Sequence, residues 1–111
     1  MTLLYLNSNT MGSGDDLLGT RLLAIFLKKL SESDHTIDVI ACVNIGIELT
    51  TQKGEALESL RVMESRGAQI FSYGTCLDFH DLRDKLLIGS VGNMEQSVEI
   101  LCTADRVIRP C

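Results

Sequence analysis

The residue best placed to do chemistry in this chain is Cys76, in the segment Ser72-Tyr73-Gly74-Thr75-Cys76-Leu77-Asp78. The apolar run Ala68-Gln69-Ile70-Phe71 feeds into it, and a helical segment starting near Leu77 leaves it. At a strand-to-helix junction, backbone N–H groups and the helix dipole favour an anion, which here would be a thiolate. His80, four residues on, could share a helix face with the sulfur, whereas Asp78 and Asp81 oppose a second negative charge. Cysteine also serves as a small buried hydrophobe. That description suits Cys42, inside an apolar strand, and Cys102, on the inner stripe of the last helix. For Cys76 the local sequence leaves the reactive and structural readings both open.

Two other segments carry candidate binding residues. Residues 7–14, with Asn7, Ser8, Gly12 and Gly14, occupy the strand-to-helix position of phosphate-cradling loops. They lack both G-x-G-x-x-G and the lysine of a P-loop, and Asp15 and Asp16 would repel a phosphate. A turn leading into a well-capped helix accounts for them, with glycines that let the backbone approach a neighbouring loop or subunit. Asn93-Met94 reads as a helix cap and a packing residue. The four cysteines, Cys42, Cys76, Cys102 and Cys111, are widely spaced with no C-x-x-C, so neither zinc nor a dithiol redox motif is indicated, and no cofactor is implied. Cys111, beside Pro110, is expected to be mobile and the first thiol to oxidise adventitiously.

Positioning these groups falls to an alternating series of strands and helices. Residues 3–6 read as a buried strand, and Asp15-Asp16 opens a helix to about Leu30. Leu17, Leu18, Arg21, Leu22, Ile25, Phe26, Leu27 and Leu30 give that helix a broad stripe at helical spacing. Residues 36–43 are rich in β-branched types and form the second strand. After a loop over residues 44–50, Thr50 or Thr51 caps a helix that ends at Gly67. Residues 68–73 are the third strand, residues 78–85 a short helix, and residues 86–88 a short strand or extended connector. Asn93 with Gln96 makes a capping box for a helix to about Ala104, and residues 106–108 are the last strand. Such alternation predicts an α/β sandwich around a mainly parallel sheet, a single domain over residues 1–111. In that topology the loops at residues 7–14, 44–50 and 74–76 share the carboxyl edge of the sheet, where open α/β folds bind ligands.

Composition narrows the partners. The 111 residues are 45% hydrophobic and 23% charged, with net charge -5, which argues against nucleic acid or an anionic membrane as partner. The opening residues Met1-Thr2-Leu3-Leu4-Tyr5-Leu6 are too short and lack the basic flank of a signal peptide or membrane span, so the cytoplasm, with reduced thiols, is the expected compartment.

Three motifs together, residues 6–16, Gly74-Thr75-Cys76-Leu77-Asp78-Phe79 and Gly89-Ser90-Val91-Gly92-Asn93-Met94, resemble the DsrE/DsrF-like sulfur-relay family. The nearest branch is the C-terminal domain of YedF-type selenium-metabolism proteins, and the likeness spans essentially the whole chain. The resemblance implies a three-layer α/β/α domain with a parallel sheet of about five strands, assembled into homo-oligomers such as trimers or hexamers. It also implies that Cys76 accepts a persulfide sulfur, or selenium, and exchanges it with a TusA-like carrier or another thiol protein. Around it, Asn7, Ser8, Gly12, Gly14, Asn44, Gly74, Thr75, Asn93 and Met94 are the candidate binding residues. Two positions depart from the family pattern, Asn9 where Asp is usual and Ile45 where a small polar residue is usual. The TusA-like domain that precedes this one in full-length relatives is not in this sequence, so either the partner is supplied in trans or the sequence is a piece of a longer chain. The competing readings are a non-catalytic module that binds a small anion or nucleotide, and a purely structural oligomerisation domain.

Overall fold

The structure is a computed structural model describing all residues, Met1–Cys111. Five strands form one sheet in the order β4-β3-β2-β1-β5, every neighbouring pair parallel. They are β1 (Thr2–Leu6), β2 (Val39–Cys42), β3 (Gln69–Tyr73), β4 (Ser90–Gly92) and β5 (Arg106–Ile108). The helices are α1 (Asp16–Glu32), α2 (Glu48–Thr51), α3 (Glu55–Ser65), α4 (Gly74–Phe79) and α5 (Met94–Thr103). This is the parallel α/β/α sandwich that the alternating pattern predicts.

Layering follows from handedness. The connections from β1 through β4 all step the same way across the sheet, and right-handed crossovers place their helices on one face. There Leu23, Leu27 and Leu30 of α1 and Leu57, Leu60 and Met63 of α3 bury against Leu4, Leu6, Ile40, Cys42 and Ile70 of the strands. The step from β4 to β5 runs back past β1, so α5 crosses on the opposite face. It covers Leu3, Val39, Ala41 and Tyr73 almost alone, through Ser97 and Ile100.

Several local expectations are corrected. Half of the apolar stripe on α1 faces solvent: Leu17, Leu18, Leu22 and Ile25 are exposed, while Gly19, Leu23, Leu27 and Leu30 face the core. The expected loop over residues 44–50 is a 3-10 turn (Asn44–Ile47) running into α2. Thr50 and Thr51 cap nothing; their hydroxyls donate back to the Ile47 carbonyl at 2.9 and 3.0 Å, and α3 starts after Gly54 instead. Gly67 does take the left-handed conformation, with φ 109°. The fourth strand is Ser90–Gly92 rather than residues 86–88, because Ile88 is needed as a plug in the main core. Gly89, at φ 75°, allows the turn between plug and strand to press on the Ile70 carbonyl. Cys102 is exposed, because the inner stripe of α5 runs through Ser97, Ile100 and Ala104, on the other side of the helix.

Leu27 has no exposed surface and sits in the centre of the larger cluster. Leu27→Ala is expected to lower the unfolding free energy by about 2–5 kcal/mol, the cost of lost transfer energy and an incompletely collapsed cavity, read from urea unfolding followed by circular dichroism.

Candidate functional site

All-parallel pairing sends every strand out through the same edge of the sheet. Cys76, the third residue of α4, stands there directly after β3 and is partly exposed. The helix begins earlier than its sequence suggests, at Gly74, and ends earlier, at Phe79. Asp81 takes a left-handed φ of 55° and stops it, and Leu82 N–H turns back to the Leu77 carbonyl at 2.7 Å. The shift places the sulfur within the first turn rather than before it.

The sulfur is held by the neighbouring strand exit. Asn44, the first residue past Val43, adopts φ 54°, and its backbone N–H donates to Cys76 Sγ at 3.1 Å. That contact depends on how closely the 3-10 turn approaches β1. Gly46 is buried against the end of the strand, and any side chain there would overlap the Leu6 carbonyl.

Charge around the sulfur is more balanced than the sequence implies. Arg83 grips Asp78 in a bidentate pair, Nε at 2.7 Å and Nη2 at 3.0 Å, which holds the Asp78 carboxyl below the usual carboxylate range. Gly74 makes room for this arm, since a side chain there would meet Arg83 Nη2 at 2.7 Å. His80 does not reach the sulfur with its ring. It ends α4, its backbone N–H donating to the Cys76 carbonyl at 3.2 Å, and its imidazole packs edge-on against Phe79.

The other thiols stand in different surroundings. Cys42 is fully buried, and burial pushes its thiol up to about 12. Cys111 is not loose: its Sγ donates to the Ser8 carbonyl at 3.6 Å, it packs on the main core, and partial burial raises its thiol. It thereby occupies the edge between β1 and β5, where the strand order reverses and a small ligand would ordinarily enter.

The remaining candidates are divided between local structure and the edge itself. Ser8 Oγ pairs with Thr10, as hydroxyl to hydroxyl at 3.2 Å and as acceptor from the Thr10 N–H. Gly12 and Gly14 lie further out in the exposed loop, with φ 77° and 141°. Asn7 is half-buried beside Cys111, and Thr75 is exposed in the same turn as Cys76. Asn93 follows β4 and completes the capping box with Gln96, its Oδ1 accepting from Gln96 N–H at 2.9 Å, and Met94 projects into solvent. Of this set, Asn44, Gly74 and Thr75 stand at Cys76.

Three residues matter that sequence reasoning did not single out. Arg83 neutralises Asp78; its five-residue separation was the available signal. Tyr73 lies beneath the site with its hydroxyl buried and unpartnered, and burial together with the nearby Tyr5 phenol pushes it up to about 12. Glu48 accepts from Asn9 Nδ2 at 2.6 Å, a contact that an aspartate at position 9 would turn into repulsion.

No protein-family model matches the chain, and no curated protein does. Among solved structures it is similar to the ychN protein from E. coli, with a TM-score of 0.68 at 19% identity over 97% of each chain. The fold is therefore DsrE-like, as the motifs imply. No helix is long and apolar enough to cross a membrane.

Two measurements test this geometry. Gly46→Ala is expected to cost about 1–3 kcal/mol by overpacking and to change the alkylation rate of Cys76, since it drives the turn bearing Asn44 off β1. The second concerns pH. Cys42 and Tyr73 hold their protons more tightly in the folded chain, where both lie near 12, than at their ordinary values of 9.0 and 10.0. Their contribution to stability is complete below pH 9 and is lost as pH rises from 9 towards 12, on the order of 4 kcal/mol for Cys42. Urea midpoints should stay level to about pH 9 and then fall, and Cys42→Ala should flatten that fall.

Proposed function

We propose that this protein is a persulfide carrier whose acceptor is Cys76. The Cys76 thiolate attacks the outer sulfur of a donor persulfide, a new S–S bond forms on Cys76 as the donor's S–S bond breaks, and the donor departs as a thiolate. An acceptor thiolate later removes the same sulfur by the reverse exchange. No net oxidant, metal or general base is required, and selenium in place of sulfur follows the same path.

The observation that carries this reading is the hydrogen bond from Asn44 N–H to Cys76 Sγ at an accessible sheet edge. Cys42 is sealed in the core, Cys111 is engaged with Ser8, and Cys102 is exposed on α5 rather than at the edge. Phe79, three residues beyond Cys76 and 83% exposed, supplies an apolar contact for a protein partner on the same helix face. A thiol protein such as a TusA-like carrier, supplied in trans within a reducing compartment such as the cytoplasm, fits this arrangement. The anion-binding alternative draws less support, because the glycine loop satisfies its own hydroxyls and Cys111 fills the crevice beside it.

Incubating the reduced protein with a mild persulfide donor and mapping adducts by mass spectrometry tests the reading. One added sulfur on Cys76 is expected, absent in Cys76→Ser and unaffected in Cys102→Ser. An adduct confined to Cys102 or Cys111, or none at all, would overturn it.

A further inference from the structure

A buried donor beside the candidate site has no partner. Tyr73 closes β3 on the α5 side of the sheet, 4% exposed, and its hydroxyl is shut off from solvent without a hydrogen bond to any group. Tyr5 brings a second phenol near it but completes no bond with it. A donor left in that condition loses its bond to water on folding and gains none in return, so folded proteins rarely keep one without a use. Phenylalanine would fill nearly the same space without that loss.

The neighbour that gives this hydroxyl a use is Cys76. Its side chain packs against both apolar clusters, the large one under α1 and α3 and the smaller one that contains Tyr73. Phenol and thiol stand close enough for charge on one to be felt by the other. Burial, then Tyr5, then Cys76 hold the proton on Tyr73, whose titration is pushed up to about 12. At neutral pH the phenol therefore keeps its proton and is able to donate.

In the unloaded protein the sulfur already has a donor, the Asn44 N–H at 3.1 Å from the β2 exit. A persulfide places a second sulfur about 2 Å beyond Sγ, and that atom has no donor of its own. Rotation about the Cβ–Sγ bond turns it either outward into solvent or inward towards the cluster that holds Tyr73. The inward position pairs the new acceptor with the unused donor.

Resting on the carrier reading of Cys76, we infer that the Tyr73 hydroxyl is the receptor for the transferred sulfur, donating a hydrogen bond to the outer sulfur of the Cys76 persulfide. The balance of the transfer is unchanged: Cys76–SH and a donor R–S–SH give Cys76–S–SH and R–SH, one S–S bond breaking as one forms. What Tyr73 adds is a bias. Its hydroxyl is uncompensated before loading and bonded after it, so the loaded form gains a hydrogen bond that the empty form lacks. The same contact turns the outer sulfur away from reductants in solution.

Equilibrating the reduced protein with glutathione persulfide and glutathione, and measuring loaded Cys76 by mass spectrometry, reads that bias directly. Tyr73→Phe is expected to lower the loading equilibrium roughly 10-fold, the size of one recovered hydrogen bond. Iodoacetamide should still alkylate empty Cys76 at the rate of the unaltered protein, because the hydroxyl acts on the outer sulfur and not on Sγ. The urea midpoint of empty Tyr73→Phe should equal or exceed that of the unaltered protein, since the variant loses an unpaired hydroxyl and no bond. In the unaltered protein, loading should slow exchange of the Tyr73 hydroxyl proton with solvent, followed by NMR, a readout that needs no variant. Equal loading equilibria in the two proteins, a clearly lower urea midpoint for empty Tyr73→Phe, or hydroxyl exchange indifferent to loading would overturn the inference and leave the carrier reading standing. Failure of the unaltered protein to take up sulfur on Cys76 would overturn both.

Discussion

Parallel pairing of all five strands is the constraint on which the rest of the molecule depends. Parallel neighbours must be joined by crossovers, and crossovers of right-handed sense fix which helix covers which face. With β1 between β2 and β5, three connections run one way and the last runs back. The consequence is unequal layers: α1 and α3 share one side, and α5 holds the other nearly alone. The same constraint gathers the strand exits at one edge, so that a turn after β2 and a helix after β3 can meet over a single sulfur.

At that edge the chemistry is built largely from backbone. The donor to Cys76 is a main-chain N–H whose direction comes from the left-handed conformation of Asn44 and from the seating of Gly46 on the end of β1. A site of this kind asks little of side-chain identity at most positions. It leaves the sulfur partly exposed and in contact with one hydrogen-bond donor. The carboxylate nearest to the sulfur in sequence is offset by Arg83, while Asp81 and Asp84 beside that pair make no ion pair.

The thiols illustrate how surroundings separate identical groups. Cys42 and Cys76 sit at successive strand exits, yet one is wholly buried among Leu6, Ile40 and their neighbours and the other straddles the rim of both cores. Desolvation penalises the thiolate of the first, while the second keeps access to solvent and a hydrogen-bond donor.

What the sequence determined by itself was the alternation of elements, the parallel class, the position of Cys76 at a carboxyl edge and the Asn93–Gln96 capping box. Each of these rests on local periodicity, composition or short-range hydrogen bonding, and such signals are written in consecutive residues. What only the tertiary structure decided involves pairs distant along the chain. Asn44 N–H reaching Cys76, Cys111 closing on Ser8, Asn9 meeting Glu48 and the strand order itself all depend on which surfaces meet after crossover. The same holds for burial. The stripe on α1 and the place of Cys102 on α5 were legible as patterns, but a pattern does not say which of two faces the sheet will cover. The residues 86–88, read as a strand from their apolarity, were needed instead as a core plug, because hydrophobicity reports a tendency to be buried and not the backbone pairing through which burial is achieved.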